Sequence, residues 1–301
     1  MIKNIKNRLL RPTERIRIPS SIKTMFFWLK TKTKIRSRFR EILRKISFAK
    51  KTKQNLVWKN IHEGKRCFIL GTGPSLKQQD LSVLKNEWTF ATAGFYLHPQ
   101  FDIVHPKFYA IIDSDCFRED DPGSKRFIEN ISDKIHPDTV MIFLINNELN
   151  IKKRGLFSKN KIIYLNALGC PMNDENPFHL NIDKEIPGLQ NVILANIICA
   201  NYMGFKTMYL MGVEHDWLTK PSTMLCDDKH FYEGRPDSPQ MNILTKFVPY
   251  EKSCYFAFCA FMAHRLLKEK MGDVEIFNLT PNSFLDVYPF KKYEDVVRDL
   301  K

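Results

Sequence analysis

No pair of cysteines in this chain is spaced Cys-x-x-Cys, and the seven present (Cys67, Cys116, Cys170, Cys199, Cys226, Cys254, Cys259) are odd in number and scattered. That pattern excludes a zinc ribbon and a disulfide framework. Thiols set in apolar runs such as Asn196-Ile197-Ile198-Cys199-Ala200 are expected to be reduced core residues in a cytosolic compartment. A membrane-spanning run is also missing, because the longest apolar stretch, Val192 to Phe205, is broken by Asn196 and Asn201 and is too short to cross a bilayer. The basic N-terminus is not followed by a secretory apolar core or a small-residue cleavage site, so export is not expected. Two nucleotide signatures are absent as well. Leu76 stands where a dinucleotide fingerprint would need its third glycine, and no Gly-Lys-Ser/Thr follows, which argues against an NAD site and a P-loop.

Acidic residues are scarce in one region only. Residues 1–55 carry eighteen Lys/Arg against two Asp/Glu, so the formal net charge of +14 belongs to this segment and the remainder is close to neutral. The bulk of the chain is therefore not expected to bind nucleic acid. Within the segment, Ile22-Lys23-Thr24-Met25-Phe26-Phe27-Trp28-Leu29-Lys30, then Ile35, Phe39, Ile42, Leu43 and Ile46, recur at helical spacing. A basic helix with aromatic anchors is expected to lie on an anionic membrane surface, where each Lys/Arg contributes about 1 kcal/mol. A solvated tail, an RNA-binding arm and an ordinary packing helix are the alternatives. The preferred placement is cytoplasmic and peripheral on the inner membrane surface.

From Lys65 onward strand and helix patterns alternate. Expected strands are Cys67–Leu70, Thr89–Ala93, Phe108–Asp113, Val140–Ile145, Lys161–Asn166, Thr207–Val213 and Val274–Leu279, with the clearest helices at Leu189–Met203 and Tyr255–Lys270. The pattern predicts an α/β, Rossmann-like fold over 56–301, a mainly parallel sheet with helices on both faces. A stretch rich in charge, proline and glycine, 217–252, reads as a lid. Ligands of such sheets bind beyond the carboxyl ends of the strands.

The residues with chemistry to offer gather at those ends. Gly71-Thr72-Gly73-Pro74-Ser75 is a turn whose N–H groups, with the helix expected after it, can cradle a phosphate; a corner without a ligand is the alternative. Asp113-Ser114-Asp115 resembles a diphosphate-metal clamp, or else Asp113 hydrogen-bonds a sugar or base. Glu214-His215-Asp216 follows the sixth strand, and His230 and Tyr232 lie in the lid. An imidazole takes a proton from a hydroxyl near neutrality, so His230 is the preferred general base, against a role in anchoring the lid; for His215 a pocket-shaping role outweighs direct catalysis. His98, His179 and His264 lack metal-like spacing and are read as surface or core residues.

Ordered landmarks then carry a resemblance. Gly71-Thr72-Gly73-Pro74-Ser75-Leu76, the stretch Met203-Gly204-Phe205-Lys206 followed by Met208-Tyr209-Leu210-Met211-Gly212-Val213-Glu214, and Thr280-Pro281-Asn282-Ser283 are similar to landmarks of the bacterial lipooligosaccharide sialyltransferases of glycosyltransferase family 42 and, more distantly, of motility accessory factor-like proteins. The resemblance spans roughly residues 65–290. It implies a GT-A-like single nucleotide-binding domain with a mobile lid, and inverting transfer of a nonulosonic acid from a CMP-activated donor to a glycan or glycolipid acceptor. No metal or other cofactor is implied. His230 would be the base, Tyr232 a phosphate contact, and Gly71 to Ser75, Asp113, Asn191, Gly212, Glu214, Asn282 and Ser283 the nucleotide contacts. The chain departs from the pattern at Thr72, Ala93-Gly94 and Asp113, where the family has asparagines. It departs again at Asp216 or Trp217, where the family has a tyrosine, and at Gly188-Leu189-Gln190-Asn191. The expected role is in surface polysaccharide or lipooligosaccharide synthesis, with a homo-oligomer possible. A metal-dependent nucleotide-sugar transferase or a pterin diphosphokinase-like enzyme is the alternative.

Overall fold

A computed structural model describes residues 43–167, 172, 178–216, 230–232 and 250–298. Seven strands form one sheet: β1 Arg66–Leu70, β2 Thr89–Thr92, β3 Phe108–Ile111, β4 Val140–Leu144, β5 Ile162–Leu165, β6 Thr207–Met211 and β7 Glu275–Asn278. The seven correspond one for one to the expected strands, and every neighbouring pair is parallel. The order is β5-β4-β3-β2-β1-β6-β7, so the chain builds outward from β1 in one direction and then returns to its other side. That reversal puts a switch point between β1 and β6, the place where open α/β sheets leave a crevice.

Alternation along the strands makes two cores. Cys67, Ile69, Phe90, Ala110, Ile142, Leu165 and Leu210 face one layer, against which Leu194, Ile197 and Ile198 of the helix Val192–Tyr202 pack. Phe68, Leu70, Ala91, Tyr109, Ile111, Met141, Phe143 and Met211 face the other. β1 to β5 are buried almost throughout and read as continuous apolar runs, whereas β6 and β7 alternate buried with half-buried or exposed positions.

The helices are α1 over residues 43–52, α2 Phe101–Val104, α3 Pro122–Lys134, α4 Glu148–Lys153, α5 Val192–Tyr202, α6 Tyr250–Met271 and α7 Tyr293–Arg298. Asp121 caps α3 by accepting from the Ser124 amide at 2.8 Å, with Pro122 at its first turn. All but two residues of α5 are buried, so it is a core helix. The chain divides into two units, Met1–Ser47 and Phe48–Lys301. In the second, Thr52 and Asn55 are buried, and the Asn55 amide donates to the carbonyls of Tyr164 (2.9 Å) and Ile182 (2.8 Å). Most of the expected anchor, residues 1–42, and most of the expected lid lie outside the described residues, as do Cys170 and Cys226. Among the described residues, no helix is long and apolar enough to cross a membrane.

Candidate functional site

The turn after β1 differs from the expected cradle in two ways. It leads into a five-residue 3-10 turn, Pro74–Gln78, rather than an α-helix: Gln79 N–H bonds back to the Leu76 carbonyl, and Asp80 then caps a second such turn, Leu81–Leu84. This path keeps Leu76, Leu81 and Leu84 buried, but it supplies no long helix dipole at the turn. In addition, Gly71 N–H donates to the Met211 carbonyl (2.8 Å), Gly73 N–H to the Gly212 carbonyl (2.9 Å) and Ser75 N–H to Glu214 Oε1 (2.8 Å). Three of the donors that would face an anion are engaged within the protein.

The glycines are explained by that packing. A Cβ on Gly73 would lie 1.4 Å from Glu214 Oε2, and one on Gly71 would lie 2.2 Å from the Gly212 carbonyl oxygen. Gly212 itself has φ +64, a left-handed conformation that L side chains rarely adopt. Burial raises the pKa of Glu214, while the hydroxyl and amide of Ser75 oppose the shift. Ser283 and Thr280 serve the same corner: Ser283 Oγ donates to the Val213 carbonyl (2.6 Å), and Thr280 Oγ1 accepts from the Val213 amide (3.0 Å). Asn282 is exposed, with φ +55, and borders a separate cleft of about 490 Å³ that also includes Ser75.

Within the stretch expected to be a lid, residues 230–232 pack against this turn. His230 Nδ1 lies 2.9 Å from Thr72 Oγ1, and Phe231 N–H donates to the Thr72 carbonyl (2.9 Å). Phe231 is buried beside Phe95 and His98. The His230 and Tyr232 rings stack with centroids 4.8 Å apart and planes at 11°. Gly94 makes room for Tyr232, whose ring a Cβ there would approach to 2.4 Å. If Nδ1–H donates to Thr72, Nε2 carries the lone pair, which is the tautomer able to act as a base.

Tyr232 also lines a cleft of about 620 Å³ beyond the carboxyl ends of β2 and β3, a size suited to a small ligand. The cleft brings together Asp113, Asn191 and Tyr232, with Thr92 and Gln190 added by the structure. Gly71 to Ser75, Gly212, Glu214, His215, Asn282 and Ser283 do not line it. Burial raises the pKa of Asp113, its bond from the Asp115 amide (2.9 Å) lowers it, and the Asp115 charge raises it again. Among the described residues, no third His, Cys, Asp or Glu joins Asp113 and Asp115 in a metal-ligand cluster.

At the cleft wall, Asn191 caps α5 by accepting from the Leu194 amide (3.0 Å), so the positive end of a core helix meets the cleft. Behind it lies a buried polar chain that sequence reasoning missed. Asn191 Nδ2 is 3.2 Å from His264 Nε2, His215 Nε2 is 3.2 Å from the same nitrogen, and His264 Nδ1 is 3.1 Å from the Tyr288 hydroxyl. An arrangement consistent with two neutral imidazoles has His215 Nε2–H donating to His264 Nε2 and His264 Nδ1–H donating to Tyr288. Burial lowers the pKa of His215 to about 3 and carries His264 in the same direction, with repulsion from the neighbouring His215 ring, when protonated, as the lesser cause. His215 is thus placed in a structural network, and His264 is a core residue. The partners are 24 to 73 positions apart, so no local motif signals them.

No protein-family model matches the chain, and no curated protein sequence matches it. Among solved structures, it is similar to the sialyltransferase CstII from Campylobacter jejuni in complex with a substrate analogue, cytidine-5'-monophosphate (14% identity, 76% of this chain and 85% of that one, TM-score 0.44). It is also similar to sialyltransferase CST-II in complex with a trisaccharide acceptor and CMP (15% identity, 75% and 86%, TM-score 0.44). The MAf glycosyltransferase from Magnetospirillum magneticum AMB-1 is similar at 13% identity and TM-score 0.42, over 81% of this chain and 38% of that one.

Proposed function

We propose that this protein is an inverting glycosyltransferase that moves a nonulosonic acid from a CMP-activated donor to a glycan hydroxyl during synthesis of a surface polysaccharide or lipooligosaccharide. The observation that carries the reading is the docking of His230 and Phe231 on Thr72 of the Gly-x-Gly-Pro-Ser turn, with Tyr232, stacked on His230, lining a cleft that meets the N-terminus of α5. In this reading the turn positions the lid, and the helix terminus receives the phosphate. His230, oriented by Thr72, takes the proton of the acceptor hydroxyl as the glycosidic bond to CMP breaks. Negative charge then grows on the departing phosphate, where the Tyr232 hydroxyl and the α5 amides are suited to stabilise it. The landmarks shared with the sialyltransferases of glycosyltransferase family 42 support the choice of donor.

The test is thermal unfolding of the full chain with CMP, CDP, UDP, GDP or ATP, each with EDTA or with magnesium, since a ligand bound by the folded state raises its stability. Stabilisation by CMP that survives EDTA is expected. A response confined to a diphosphate or ATP with magnesium would overturn the reading in favour of a metal-dependent transferase using Asp113-Ser114-Asp115. His230→Ala is expected to lower kcat by roughly 10²- to 10⁴-fold with donor binding retained. Unchanged turnover would remove His230 from the base role.

A further inference from the structure

We infer that His105, His136 and Asp138 form a binding site for a zinc-class divalent transition-metal ion at the end of the sheet opposite the cleft. His105 follows α2 and precedes β3, while His136 and Asp138 lie in the turn between α3 and β4. β3 and β4 are parallel neighbours with Phe108 opposite Val140, so the turns entering them are adjacent. His105 Nε2 lies 2.6 Å and His136 Nδ1 2.5 Å from the same oxygen, Asp138 Oδ1. The ring centroids are 4.2 Å apart, and one donor atom from each residue falls within 4.8 Å of the others. It is the one such group of three among the described residues.

The backbone beneath the cluster is braced. Thr139 Oγ1 donates to the Pro106 carbonyl (2.8 Å) and Val140 N–H to the Lys107 carbonyl (2.9 Å), tying one turn to the other. The Asn160 amide donates to the carbonyls of His136 (2.8 Å) and Thr139 (3.0 Å). Two imidazoles and a carboxylate suit zinc, cobalt or nickel rather than magnesium or calcium. Tetrahedral ligation at about 2.0–2.1 Å needs donor atoms roughly 3.3 Å apart. The three side chains are partly or well exposed, so Asp138 can withdraw by under about 1 Å to admit the ion, with water completing the shell. Binding requires the ring nitrogens that now face Asp138 to present their lone pairs, each neutral imidazole then carrying its proton on its other nitrogen. The ion would clamp the two turns without touching the proposed reaction.

The experiment is titration of the metal-stripped full chain with cobalt(II) chloride, followed by its visible absorption, and with zinc chloride, followed by calorimetry and thermal unfolding. Wild type is expected to bind one equivalent with nitrogen and oxygen ligation and no thiolate charge-transfer band, and zinc is expected to raise its Tm. The double variant His105→Ala/His136→Ala and the separate Asp138→Asn variant are expected to bind at least about tenfold more weakly, one decade in Kd. Circular dichroism establishes that each is folded. Equal binding by wild type and the double variant, a thiolate band, or no binding by wild type would each overturn the site.

Discussion

At the residue scale, Glu214 and His215 show how one loop carries a half-buried carboxylate and a buried imidazole by different means. Glu214 enters the space that Gly73 leaves and accepts the Ser75 amide. His215 remains neutral, because burial lowers its pKa from the ordinary 6.5 to about 3. The unfolded chain takes up that proton as pH falls below 6.5, whereas the folded chain does so only near 3. The contribution is therefore fully present above 6.5 and is lost as pH falls through this window, a loss of about 2 kcal/mol for His215 at about pH 5. His215→Gln is expected to flatten the acid slope of stability by about that amount. Urea unfolding at about pH 7.5 and about pH 5 measures it, and an unchanged slope would assign the acid sensitivity to other groups.

At the element scale, α5 is both the centre of one core layer and a wall of the cleft. Its burial makes a polar residue within it costly. Asn196 is fully buried, and neither its Oδ1 nor its Nδ2 has a hydrogen-bond partner among the described residues. An unpaired buried amide costs about 1–3 kcal/mol, so Asn196→Leu, of similar volume, is expected to stabilise the fold by about 1–3 kcal/mol. A higher denaturation midpoint at unchanged m-value would verify this, and a lower one would show that Asn196 is needed where it stands. The same helix is held at its N-terminus by Asn191, whose amide reaches the His215–His264–Tyr288 chain. Cleft geometry and core packing are thereby coupled.

At the scale of the whole molecule, the switch point between β1 and β6 gathers the loops, while the histidine–aspartate cluster lies at the other end of the strands. The basic segment belongs mainly to the first unit, Met1–Ser47. Because Thr52 and Asn55 are buried in the second unit, a truncation that tests the membrane anchor is best placed after Ser47. Removing residues 1–47 is expected to release the protein from anionic vesicles in a sedimentation assay while leaving activity on a soluble acceptor. Persistent vesicle binding would refute the anchor.

All seven strands and the two main helices are legible in the sequence, since buried strands, the alternating β6 and β7 and a core helix are all written as local patterns bounded by turn residues. The turn glycines are legible as a feature, but their reason is not: Gly73 yields to Glu214 and Gly94 to Tyr232, both far along the chain. The helix expected after Ser75 is a 3-10 turn because the burial of Leu76, Leu81 and Leu84 redirects the chain. Strands, charge asymmetry and candidate residues follow from neighbours along the chain, so they can be read without coordinates. The strand order, the polar chain from Asn191 to Tyr288 and the convergence of His105 with His136 and Asp138 need the folded molecule, because distant groups meet only when the core closes.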